Sequence, residues 1–160
     1  MSGLPVATAP EAFRDNSAMS PAWLEIAESL GLVPEQPADG AAIAATRQTL
    51  GHDLSKSLRS LYAQTDGLRD EYGYALVLPV TELVSENVFL RGQLYRDLYM
   101  PFDHVLAFGQ QGNGDLFFHP VIAGAVREDV YVWDHEDDSR TWFARDVEDA
   151  VRRWMAGEAR

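Results

Sequence analysis

The 160-residue chain contains no cysteine. That absence excludes disulfides, thiolate metal sites and thiol nucleophiles, and it fits a cytoplasmic setting. Lysine is almost as scarce: Lys56 is the single lysine among 13 basic residues, against 25 acidic ones. The formal net charge of −12 argues against nucleic acid as a partner, whose binders need a positive surface to displace counterions. No apolar run reaches the ~18–20 residues that span a membrane, so no membrane association is expected. The N-terminus lacks a basic segment followed by an apolar core, so no signal peptide is expected either. What is present is 46% hydrophobic and 11% aromatic, enough for one folded domain with a real core. The surplus acid attracts a cationic partner and speeds encounter with it; it also serves plain solubility.

Residues 1–20 are rich in alanine, proline and serine without periodicity and read as a loose lead-in, leaving residues 21–160 as a single domain. Pro21 suits the first turn of a helix with Ser20 as its N-cap; Trp23, Ile26, Ala27 and Leu30 form its apolar face and Gly31 ends it. Val33 to Pro37 reads as an extended connector. Asp39 opens a second helix that Gly51 stops, and Ser55 caps a third carrying Leu58, Leu61 and Tyr62 on one face, closed by Asp66-Gly67. Tyr72 to Leu78 is a strand ended by Pro79. Thr81 to about Tyr99 reads as a helix that Gly92 can interrupt. His104–Phe108, Leu116–Ile122, Val130–Asp134 and Arg140–Ala144 read as strands, and Asp146 caps a final helix with Val147, Ala150, Val151 and Trp154 inward. Helices first, then strands, then one helix predict an α+β fold: a central, mostly antiparallel sheet packed by N-terminal helices and one closing C-terminal helix.

Two stretches advertise chemistry, FGQQGNGDLFFHP (Phe108–Pro120) and WDHEDDSR (Trp133–Arg140). Asp115, His119 and His135 could form a weak metal site if the two segments converge, but Asp137-Asp138-Ser139 also reads as ordinary turn chemistry between two strands, and the spacing favours that reading. The glycines at 109, 112 and 114 precede neither a lysine nor a helix, so they do not make a phosphate loop. No Gly-x-Ser-x-Gly elbow exists. Asp70-Glu71 and Asp137-Asp138 read as solvated charges rather than paired catalytic carboxylates. Binding by surface is the remaining class. Alternation puts Tyr131 and Trp133 on one sheet face and Val130 and Val132 on the other, one face packing the helices and the other half exposed. Aromatics among carboxylates suit a basic protein partner. The candidate partner-facing patch is Glu128, Asp129, Trp133, Asp134, Glu136, Asp137 and Asp138.

The order of these pieces resembles a known family. Gly51-x-x-Leu54-x-x-x-Leu58-x-x-Leu61-Tyr62-x-x-x-Asp66-Gly67, then Phe108-Gly109 through Gly114-Asp115, then Val130-Tyr131-Val132-Trp133-Asp134-His135, then the helix from Asp146, are similar to successive elements of the SUKH superfamily, which includes the yeast cell-wall-assembly regulator and bacterial immunity proteins. The likeness runs from around Ser20 to Gly157. Ser55 stands where those sequences commonly carry proline, and serine can cap the same helix. The resemblance implies an α+β domain without enzymatic activity or cofactor. Its bacterial members are commonly immunity proteins that neutralise a toxin, often a nuclease; others are regulatory or scaffold modules. A non-enzymatic protein-binding domain, most simply an immunity protein occluding a basic toxin domain, is therefore expected. The alternatives are a scaffold module without a toxin partner and a metal-dependent enzyme.

Overall fold

Glycine decides where the two sheets of this protein meet. The computed structural model describes residues 20–158, so of the expected lead-in only Ser20 is among them. A small antiparallel sheet runs β1 (Val33–Pro34), β2 (Leu68–Arg69), β3 (Ala75–Val77) in that order. The larger one runs β4 (Val105–Gln110), β5 (Leu116–Ile122), β7 (Val130–Trp133), β8 (Arg140–Ala144), with β6 (Ala125–Val126) paired to the end of β5; all its pairings are antiparallel. Helices α1 (Trp23–Leu30), α2 (Gly40–Leu50), α3 (Lys56–Tyr62), α4 (Val80–Leu90), α5 (Gln93–Leu98) and α6 (Val147–Met155) complete an α+β fold. No helix among the described residues is long and apolar enough to cross a membrane.

The junction between the sheets is backbone on backbone. Leu78 donates its N–H to the Phe108 carbonyl at 2.7 Å. A Cβ on Gly109 would stand 1.9 Å from the Leu76 carbonyl oxygen, and one on Gly67 would stand 2.6 Å from that of Val77. Neither side chain position exists to be filled, so both must be glycine; Gly67 in addition takes φ +97°, a region L side chains avoid. One residue earlier along β4, the buried Asn87 of α4 mimics a neighbouring strand. It accepts the Ala107 N–H at 2.9 Å and donates to the Ala107 carbonyl at 2.7 Å.

The period-2 pattern of the larger sheet sends two sets of side chains in opposite directions. Leu106, Phe108, Phe117, Val130 and Val132 join Trp23, Leu58, Leu61, Tyr62 and Val151 in the main core. Val105, Ala107, Leu116, Phe118 and Trp133 form a second core with Leu90 and Phe102. The Tyr62 hydroxyl, fully buried, donates to the Leu78 carbonyl at 2.6 Å and so ties α3 to the end of β3.

Several local expectations need correction. Ser20 does not cap α1: the N-cap is Ala22, without a side-chain bond. Instead Gln64 accepts the Trp23 N–H at 2.8 Å and donates to the Pro21 carbonyl at 2.8 Å, so a distant residue satisfies the helix start. Asp66-Gly67 does not close α3, which ends at Tyr62 with Ala63 as its C-cap. Asp66 accepts the Val80 N–H at 2.8 Å and caps α4, whose own N-cap, Pro79, has no side-chain cap bond. Gly92 does divide the long helix, becoming the N-cap of α5. The two-residue strands β1, β2 and β6 carry too little pattern to be read from sequence.

Replacing Gly109 with alanine should cost about 3 kcal/mol or more, because no flexible atom can yield to the added methyl. Gly40→Ala, at a helical position with nothing within 4 Å, should be neutral or stabilising by up to ~1 kcal/mol. Urea denaturation of the two variants checks the contrast, and similar midpoints would refute the close-packing account.

Candidate functional site

The two stretches that advertised chemistry do come together, but not as one constellation. His119 points into the main core and is fully buried, stacked on Phe108 with ring centroids 4.7 Å apart. Its Nδ1 faces the Asp129 carbonyl at 3.0 Å and must carry the proton there. The bare Nε2 then accepts from the Ser55 hydroxyl at 3.0 Å, while the Ser55 oxygen accepts the Leu58 N–H at 3.2 Å as the α3 cap. Burial holds the His119 pKa below its ordinary value, so the ring is neutral. This serine–histidine pair has the outline of a nucleophile and base, but Ser55 is buried too and no substrate reaches it. Its work is structural.

Asp115 and His135 do converge. Asp115 is buried, and its Oδ1 accepts both the His135 N–H at 3.2 Å and His135 Nδ1–H at 2.8 Å, while Oδ2 accepts from Asn113 at 3.1 Å. That hydrogen bond raises the His135 pKa above its ordinary value. Asp115, Asp134 and His135 place ligand-type atoms within 4.8 Å of one another, the set that could hold a metal. His119 does not belong to it. Both oxygens of the central carboxylate already receive protein N–H groups, so the arrangement serves to pin the 134–138 hairpin against the 111–115 turn.

The hairpin is tied on its other side as well. Asp138, at φ +61°, accepts the Trp133 indole N–H at 2.8 Å with one oxygen and the Met100 N–H at 2.8 Å with the other. Arg140 donates to the Met100 and Pro101 carbonyls at 2.6 and 3.0 Å and lies 4.5 Å over the Phe102 ring. Trp133 itself is 3% exposed, packed edge-on against Tyr99 and Phe102 at 5.1 Å. The sheet face expected to be half exposed is thus covered, and Trp133 offers a partner no surface. The exposed indole is Trp142, whose N–H donates to Asp129 at 3.1 Å.

The acidic residues fall at two ends of β7. Glu128 accepts the N–H groups of Lys56 and Ser57 at 2.6 and 3.2 Å, reinforcing the start of α3, and Asp129 lies beside it. Asp134, Glu136, Asp137 and Asp138 lie beyond Trp133, roughly 13 Å further along a strand that rises about 3.3 Å per residue. Glu136 and Asp137 are the exposed members of that loop.

Sequence reasoning missed an exposed apolar feature. Helix α5 contributes no buried residue. Tyr95 and Tyr99 lean on Trp133, while Leu94 and Leu98, also one turn apart, are 61% and 64% exposed. Phe89, Val88 and Met100 on either side of α5 are about half exposed. The signal lay in Gly92: once it starts a new helix, the leucines after it no longer share the buried face of α4.

The SUKH_6 family model, SMI1-KNR4 cell-wall, matches residues 41–149, more than half of the sequence. The chain belongs to the SUKH superfamily. No curated protein matches this SUKH chain. The family match takes in both junction glycines, Ser55 and His119, and both tied loops. It leaves α1 outside, although the fully buried Trp23 makes that helix part of the SUKH core here.

The two histidines should titrate in opposite senses. His119 binds a proton less readily folded than unfolded, so its contribution to stability is intact above about 6.5 and is lost as pH falls below it. His135 binds one more readily, so its contribution is present below that value and fades as pH rises through the higher folded pKa. Imidazole nitrogen shifts measured by NMR should show His119 as the neutral Nδ1–H tautomer at pH 7, and on acidification His135 should take up its proton before His119 does. A His119 that protonates before His135 would contradict the buried hydrogen-bond chain.

Proposed function

We propose that this SUKH domain acts by binding a basic protein, and that the docking face is the end of the molecule formed by α5 and the 134–138 hairpin. The observation that carries the reading is α5 itself. Helix α5 packs on the second core through the partly buried Tyr95, a contact that needs neither Leu94 nor Leu98, yet it presents both to solvent, and exposed apolar side chains one turn apart mark interaction surfaces. The acidic hairpin is fastened to the same region through Asp138 and Arg140, so an apolar anchor stands beside a carboxylate rim. That pairing divides the labour of recognition: leucines supply desolvation energy, and Glu136 and Asp137 steer a cationic partner. Asp138 and Trp133 support the face from beneath, and Glu128 and Asp129 lie at the opposite end of β7.

Within the superfamily the reading becomes an immunity protein of the cytoplasm that occludes a basic toxin domain, without cofactor or catalysis of its own. The net charge of −12 supports a cationic partner over nucleic acid or an anionic membrane surface. A second reading is a regulatory or scaffold module without a toxin partner; the cell-wall description of the matching family favours it.

Co-expression with a toxin domain, should a neighbouring gene encode one, tests the choice: rescue of growth supports the immunity role, and no rescue together with no binding removes it. With that toxin domain as partner, Glu136→Lys combined with Asp137→Lys should slow association about tenfold at low salt, with the difference shrinking at high salt. Leu94→Ser combined with Leu98→Ser should instead raise the dissociation rate, weakening affinity on the order of a hundredfold for two lost apolar anchors. Unchanged kinetics in both variants would remove this face from the interface.

A further inference from the structure

A groove runs along the exposed flank of α4 beside the proposed docking face. One cavity of about 400 Å³ lies between Thr81, Glu82, Ser85, Glu86, Phe89 and Gln110. A second, of about 250 Å³, opens between Glu86, Gln110, Tyr74 and the glycines of the 112–114 turn. The two share Glu86 and Gln110, so this carboxylate stands at the middle of a continuous depression. Phe89 and Tyr74, both about half exposed, form aromatic walls at its two ends, and Leu78 and Leu116 lie beneath.

No basic residue lines either cavity. Glu82 is engaged by Arg69 at 3.3 Å, whereas Glu86 has no hydrogen bond or ion pair among the described residues. It is nonetheless half buried, and burial raises its carboxyl above the ordinary value. An unpaired, partly desolvated carboxylate between two aromatic faces matches a planar cation, because a guanidinium can bond the carboxylate in fork geometry and stack on a ring. An ammonium satisfies only the first of these. A neutral or acidic side chain satisfies neither.

We propose that this groove receives an arginine side chain of the partner, with Glu86 as its counter-ion and Phe89 or Tyr74 as its stacking surface. The proposal rests on the protein-binding reading above and adds the residue type by which the partner is recognised. Phe89 belongs both to the groove and to the apolar ridge running on to Leu94, which places the arginine next to the apolar anchor.

The probe is N-acetyl-argininamide, which carries the guanidinium as its only charge, titrated into the isotope-labelled full chain and followed by amide NMR. Saturable shifts should be confined to residues 82–89, 110–114 and Tyr74. N-acetyl-lysinamide should bind more weakly and N-acetyl-norleucinamide should leave the spectrum unmoved. Glu86→Gln, on an exposed helix flank, should keep the folded spectrum and weaken binding roughly fivefold, the worth of one partly screened ion pair. Phe89→Ala should weaken it independently. Shifts that persist unchanged in Glu86→Gln, or that centre on residues 134–138, would overturn the assignment, as would a toxin domain that binds Glu86→Gln with wild-type affinity. If the probe fails to bind while hairpin charge reversal still slows toxin association, the groove assignment falls and the binding reading stands. If the probe binds in the groove but no protein does, the guanidinium site survives and the immunity reading falls.

Discussion

The rest of the structure depends on the close approach of three backbone segments at β3. Gly67 presses on the Val77 carbonyl and Gly109 on the Leu76 carbonyl, so the short strand is gripped by neighbours that could come no nearer with any side chain. The Leu78 N–H bond to Phe108 then joins the two sheets, and the Tyr62 hydroxyl brings α3 onto the same few residues. Asp66, adjacent to Gly67, caps α4 and fixes the direction in which it leaves. Because α4 carries both Asn87, which clamps β4, and the exposed groove, the surface at the far end of the molecule inherits its position from this junction.

That grip also explains which parts of the sequence could be read directly. Phe108-Gly109 and Asp66-Gly67 look like generic turn dipeptides, and as isolated motifs they are weak. Their shared meaning is steric and appears only when the chain is folded. Local signals that act locally were legible: Asp39, Ser55 and Asp146 cap the helices they precede, each accepting a backbone N–H two or three residues on. Signals that act at a distance were not. Gln64 satisfies the start of α1, and Asp66 that of α4, across separations of 41 and 14 residues that no helix rule anticipates.

The candidate site was legible in chemistry and not in placement. Period-2 alternation correctly set Tyr131 and Trp133 against Val130 and Val132, yet it could not reveal that α5 and the segment through Phe102 would roof the aromatic side. A strand pattern reports which residues share a face and is silent on what covers that face. The histidines make the same point. His119 and His135 looked alike as ligands, but one sits in a buried hydrogen-bonded chain and the other at a half-exposed hairpin, and their protonation tendencies diverge accordingly. The acidity that dominates the composition separates into carboxylates that hold loops and helix ends in place, such as Glu128 and Asp138, and those that are exposed on the hairpin, such as Glu136.

Asn87 has a consequence for the grammar of recognition. An edge strand ordinarily offers a row of free amides and carbonyls to which any extended peptide can add, with little regard to its sequence. Here one side-chain amide occupies the outward N–H and carbonyl of Ala107, and Leu78 takes the carbonyl of the next residue. The border of the larger sheet is closed where a foreign strand would begin to zip. Whatever settles beside α4 must be read through its side chains, which makes this edge selective where an open one would be indiscriminate.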